Sequence, residues 1–175
     1  MALRAVLLTG GFMDIVAYTD GSYREDKDIG PVYAGASIIC RDGADPVQLT
    51  TAGADPAYIS MRNVAGEIIA TMMACEYCMN TLKITQNDNL IIVYDYAGIE
   101  NWCRKPRTKD FWRAKTPLSM YYRDFMNTKV KTRCKVLFRH VKSHTGHTGN
   151  EMVDAAVKEA ISNYVRSIMD AKKNG

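Results

Sequence analysis

Leu90-Ile91-Ile92-Val93-Tyr94 is the stretch that most restricts the fold of this chain, an uninterrupted apolar run bounded by Asn89 and Asp95. A strand that is apolar on both faces has to be covered on both, the condition of a parallel strand inside a sheet with helices above and below. The flanking sequence supplies such layers. Asp14 to Asp20 predicts a strand ending in the turn signal Asp20-Gly21-Ser22, and Tyr23 to Gly30 reads as a charged loop. A second strand over Tyr33 to Cys40 and a third over Pro46 to Ala52 are joined by the hairpin turn Arg41-Asp42-Gly43. From Asn63 to Leu82 the period becomes helical, with Val64, Ile68, Met72, Cys75, Met79 and Leu82 on one face. After the apolar run come a short helix over Tyr96 to Trp102, a basic segment, and a helix from Pro117 to Lys129. A strand over Cys134 to His140 and a helix carrying Val153, Ala156, Val157, Ala160, Ile161, Tyr164, Val165 and Ile168 on one face finish the chain. The order βββαβααβα predicts an α/β fold: a mixed five-stranded sheet, three antiparallel strands followed by parallel ones, with helices on both faces.

At 175 residues one domain suffices. Residues 1–12 read as an N-terminal extension, 13–170 as the domain and 171–175 as a tail. An odd count of five cysteines argues against a disulfide framework and for a reducing compartment, with a cytoplasmic location expected. Cys75 and Cys78 form a CxxC inside a helical pattern with no second pair to complete a zinc site, so they read as packing residues. No apolar run is long enough to span a membrane. The net charge of +4 is unevenly spread: residues 104–115 carry six Lys or Arg against Asp110, and residues 129–142 carry six against no acid. Those windows hold +5 and +6, leaving −7 on the rest. Such segregation fits phosphate-backbone binding; its ordinary alternative is two solvated basic faces.

Four carboxylates stand at element boundaries that can converge: Asp20 after the first strand, Glu67 near the start of the long helix, Asp95 after the apolar run and Asp154 in the last helix. Each alone has a plain structural reading as a turn or dipole-complementing acid. Brought together they would repel and raise one another's pKa unless cations neutralised them. Hard oxygen donors favour Mg²⁺, with Mn²⁺ as a substitute, and two such ions about 3.5–4 Å apart serve displacement at phosphorus. Between the last strand and helix runs Val141-Lys142-Ser143-His144-Thr145-Gly146-His147, followed by Asn150, Glu151 and Asp154.

These residues carry a resemblance. Tyr18-Thr19-Asp20-Gly21-Ser22, Gly66-Glu67, Asp95 after an apolar strand, and the Val141 to Asp154 stretch together resemble type 1 ribonuclease H over about residues 13 to 165. The resemblance implies a ribonuclease H-like fold and an endonuclease that cuts the RNA strand of RNA–DNA hybrids by two-metal-ion catalysis, giving 5′-phosphate and 3′-hydroxyl ends. Asp20, Glu67, Asp95 and Asp154 match the four metal-binding acids, and His144 matches a mobile histidine that shuttles protons or assists product release. Asn63 matches an asparagine on the minor-groove side of the hybrid, where the 2′-hydroxyl marks RNA. Gly21 and Ser22 join it as expected substrate contacts, and Arg104, Lys105, Arg107 and Lys109 stand where the family has a basic protrusion. An RNA–DNA hybrid is the expected partner and a monomer the expected state. Tyr94-Asp95-Tyr96 departs from the commoner Thr-Asp-Ser, and Arg62 and Val64 flank Asn63 where hydroxyl and amide side chains are usual. Trp102 and Trp112 are expected under the adjacent helix more than on substrate. Two other classes remain open: a same-fold DNA nuclease or resolvase, and a hybrid-binding module that does not cut.

Overall fold

A computed structural model of the chain describes residues 12–142 and 148–174. Five strands, β1 (Asp14–Asp26), β2 (Gly30–Arg41), β3 (Val47–Gly53), β4 (Asn89–Tyr94) and β5 (Lys135–His140), form one sheet in the order β3-β2-β1-β4-β5. The first three pair antiparallel, and β4 joins β1 and β5 in parallel, as the apolar run requires. The helices are α1 (Pro56–Ile59), α2 (Asn63–Asn80), α3 (Gly98–Asn101), α4 (Pro117–Phe125), α5 (Lys131–Arg133) and α6 (Thr148–Asn174), with a π turn over Met126–Val130 between α4 and α5.

Two apolar clusters cover the two faces. On one face Ile15, Ala17, Leu90, Ile92 and Tyr94 of the sheet bury against Ile68, Cys75 and Met79 of α2 and against Leu118, Tyr122 and Phe125 of α4. On the other, Val32, Ala34, Ala36 and Ile38 of β2 bury against Val153, Ala156, Val157 and Ile161 of α6. The alternation of β1 and β2 thus sorts side chains between the two layers. All five cysteines are free, and Cys75 and Cys78 are core residues as their helical spacing predicts.

Three expectations need correction. Asp20-Gly21-Ser22 is no turn: β1 continues to Asp26, pairing with β2 out to Asp26↔Gly30, so the expected loop is a β-hairpin arm. Its residues read as loop because they are charged and the arm beyond Ser22 is only half-buried, while the backbone ladder still carries it. The helix expected over Pro117 to Lys129 is α4 interrupted by the π turn. Helix α1 was not anticipated, although Asp55, which accepts from Ala57 N at 2.9 Å, and Pro56 at the first position are ordinary start signals.

Candidate active site

The parallel pairing of β1 and β4 stops at Tyr18↔Val93. Asp20 and Asp95 each stand two residues beyond that pair, at the same end of the sheet. Glu67 is brought to them by a glycine contact between helix and sheet. A Cβ on Gly21 would lie 2.2 Å from Glu67 N, and one on Gly66 would lie 1.9 Å from the Ala34 carbonyl oxygen. Only glycine at both positions lets the first turn of α2 rest on β1 and β2 this closely.

The result is a group of three acids, Asp20, Glu67 and Asp95, whose carboxylate oxygens lie within 4.8 Å of one another. Glu67 is 1% exposed, and its Oε2 has no hydrogen-bond partner among the described residues. Burial, then the charges of Asp20 and Asp95, hold its carboxyl well above the ordinary carboxylate range. Asp20 accepts from Gly21 N at 2.8 Å, yet burial and then the Asp95 charge push its pKa up to about 6. Three acids gathered this closely, one of them buried, repel one another, and a divalent cation is a group that offsets that repulsion. The orphaned Glu67 oxygen and the all-carboxylate donor set therefore fit a hard cation.

In front of this group lies a cleft of about 200 Å³ lined by Asp20, Gly21, Ser22, Asp95, Asn150, Glu151 and Asp154. Asp154 reaches it from α6, outside the tight trio, with its carboxylate accepting from Lys158 Nζ at 2.6 Å one helical turn on. Gly149 makes this approach possible, since a Cβ there would stand 2.3 Å from the Tyr18 ring. His140 closes the β4 end, its Nε2 2.9 Å from the Asp95 carbonyl oxygen. His144 and His147 lie outside the described residues.

The expected substrate contacts divide. Gly21 and Ser22 line the cleft, and Asn63 is exposed at the first position of α2. Lys105, Arg107 and Lys109 are exposed, whereas Arg104 is held by Glu100 at 2.8 Å and by Asn101 at 3.1 Å. Trp102 is 7% exposed, packed edge-on against Tyr122, and Trp112 is 40% exposed against Tyr96 and Trp102. The sequence reading missed Glu100, which receives the buried Tyr94 hydroxyl at 2.5 Å; its four-residue spacing to Arg104 was the available signal.

The family model for RNase H matches residues 13–162. The chain belongs to the RNase H family. Membership makes it a hydrolase of a generally metal-dependent nuclease family. A ribonuclease H of Dinoroseobacter shibae is 25% identical over 151 residues, which are 85% of this chain and 92% of that protein. LC11-RNase H1, isolated from compost by a metagenomic approach, has a similar structure with a TM-score of 0.62 at 18% identity, over 87% of this chain and 98% of its own. The same protein in complex with an RNA/DNA hybrid gives a TM-score of 0.60 at 17% identity, over 84% of this chain and 99% of its own. The N-terminal RNase H domain of rv2228c from Mycobacterium tuberculosis gives 0.66 at 12% identity, over 89% and 99%. At these identities the structural likeness is one of fold.

Proposed function

We propose that the chain is an endonuclease that hydrolyses the RNA strand of RNA–DNA hybrids, leaving 5′-phosphate and 3′-hydroxyl ends, with residues 13–170 as its catalytic domain. The observation that carries this reading is the Glu67 Oε2, buried beside Asp20 and Asp95 with no donor to it among the described residues. When bound there, a pair of Mg²⁺ ions, or Mn²⁺ in their place, supplies the charge that stabilises attacking and leaving oxygens at phosphorus. Asp20, Glu67 and Asp95, together with Asp154 released from Lys158, would hold them. Gly21 and Ser22 line the cleft where the scissile phosphate would lie, and Asn63, exposed at the start of α2, would meet the minor-groove side of the hybrid. Of the basic segment, the exposed Lys105, Arg107 and Lys109 would hold the backbone phosphates beyond it, Arg104 being engaged by Glu100 and Asn101. His144, whose imidazole has a reference pKa of about 6.5, is assigned the proton-handling role. A monomer in a reducing compartment such as the cytoplasm fits five free thiols, and no described helix is long and apolar enough to cross a membrane.

A hybrid labelled on its RNA strand tests this. The expected result is endonucleolytic cutting of the RNA strand in Mg²⁺ or Mn²⁺, none with chelator, and intact duplex DNA throughout. Cutting of duplex DNA with the hybrid spared would overturn the substrate assignment.

A further inference from the structure

Asp95 sits where β4 gives out, and backbone at a strand end is ordinarily free to move; here it is tied on two sides. From the end of β5 and the residue after it, the His140 ring meets the Asp95 carbonyl oxygen and Val141 N donates to the Tyr94 carbonyl at 2.9 Å. From the other side comes a chain of polar contacts that the cleavage reading does not use. Tyr94 is 2% exposed, its ring wedged edge-on against Phe138 and tilted against His140, with ring centroids 6.1 Å and 5.5 Å away. Its hydroxyl donates to Glu100 Oε2 at 2.5 Å, across six residues from strand to α3. The other oxygen of Glu100 accepts from Arg104 Nη2 at 2.8 Å, and Arg104 Nε donates to Asn101 Oδ1 at 3.1 Å.

A tyrosine hydroxyl bonded to a carboxylate is a charge-assisted contact, shorter and stronger than a neutral one. The Arg104 guanidinium on the other oxygen of Glu100 fixes the carboxylate in the position from which it meets the Tyr94 hydroxyl. We propose that Tyr94 and Glu100, braced by Arg104, are positioning residues for Asp95: they fix the end of β4 so that the Asp95 carboxylate is presented to the Asp20–Glu67 pair at cation-binding distance. Outer partners of metal ligands act in this way, orienting the ligand without touching the ion. The inference rests on the metal reading given above and adds to it which residues outside the carboxylate group set its affinity. It also gives Arg104 a structural task distinct from that of the exposed Lys105, Arg107 and Lys109 beside it.

Calorimetric titration of the substrate-free protein with Mn²⁺ tests this, because it reads the site without cleavage. Tyr94→Phe keeps the ring and its packing and removes only the hydroxyl; Glu100→Gln keeps an acceptor and removes the charge. Loss of an outer partner typically costs roughly 10–100-fold in metal affinity. Tyr94→Phe is expected to weaken Mn²⁺ binding at least about tenfold, with Glu100→Gln between it and wild type, while the hybrid KM changes by less than about twofold. A merely structural role would lower the melting temperature and leave the Mn²⁺ affinity of the folded protein alone. Wild-type Mn²⁺ affinity in both variants would overturn the positioning role and leave the metal site standing. No Mn²⁺ binding by the wild type would overturn the metal reading, and this inference with it.

Discussion

Two buried acids at opposite ends of β4 have opposite surroundings. Asp88, 5% exposed, precedes the strand, and its carboxylate collects Met13 N at 3.0 Å, Thr85 N at 2.7 Å and the Thr85 hydroxyl at 2.9 Å. Burial works to raise its pKa, but those donors outweigh it and the net shift is downward. Glu67, 1% exposed, lies at the other end with one oxygen unpartnered among the described residues and with Asp20 and Asp95 as neighbours, and its pKa is driven up. Met13 and Thr85 tie Asp88 to the start of β1 and to the turn before β4, so its carboxylate serves the fold. Glu67 meets two like charges where Asp88 meets three donors, the setting expected of an acid placed for a ligand rather than for the fold.

The largest effect that would break this comparison is on catalysis. Glu67→Gln is expected to lower the cleavage rate roughly a thousandfold, equivalent to about 4 kcal/mol of barrier, while leaving the metal-free protein as stable as wild type or more so. Single-turnover cleavage and thermal melting of that variant check the two halves; an active variant would remove Glu67 from the site. The mirror-image change is Asp88→Ala. It strands backbone donors of Met13 and Thr85 and is expected to cost about 2 kcal/mol of stability by denaturant unfolding, with the cleavage rate at saturating substrate retained.

The pH dependence of the metal-free protein sharpens the contrast. Asp20 is pushed up to about 6, so the stability tied to its protonated form is complete below the unfolded value near 4 and is lost as pH rises through about 6. Asp88 runs the other way: its contribution is present above about pH 4 and disappears as pH falls through its lowered value. Melting curves without metal should therefore show stability falling between about pH 4 and 6, on the order of 2 kcal/mol, and Asp20→Asn or added Mg²⁺ should flatten that fall. A profile that keeps its slope in Asp20→Asn would assign it elsewhere. The smallest effect concerns the exposed basic segment. Each of Lys105, Arg107 and Lys109 changed to Ala should reduce the slope of log affinity against log salt by about 1, and an unchanged slope would leave that segment a solvated face.

What was legible in the sequence follows the same division. The β4 run, the long helices and the glycine-flanked acids announce themselves, because burial on both faces and helical periodicity are local patterns. The arm of β1 beyond Ser22 was not legible, since its pairing with β2 depends on a ladder that charged side chains do not advertise. The π turn at Met126–Val130 left no signal either; it is a local departure inside a helical stretch whose apolar periodicity reads straight through it. Of the site, the acids could be singled out by position and type, but spacing could not distinguish Glu67, in the tight trio, from Asp154, which stands off it paired to Lys158. The Tyr94–Glu100 contact was hidden because both residues have ordinary local readings, one as strand core and the other as helix start.

Diffraction from crystals grown with Mn²⁺, read by its anomalous signal, tests the central claim most directly. The account predicts a peak within about 2.0–2.6 Å of oxygens from Asp20, Glu67 and Asp95, with the Glu67 Oε2 among its ligands. A Mn²⁺-saturated crystal with that oxygen still unpartnered, or with the ion bound elsewhere, would contradict it.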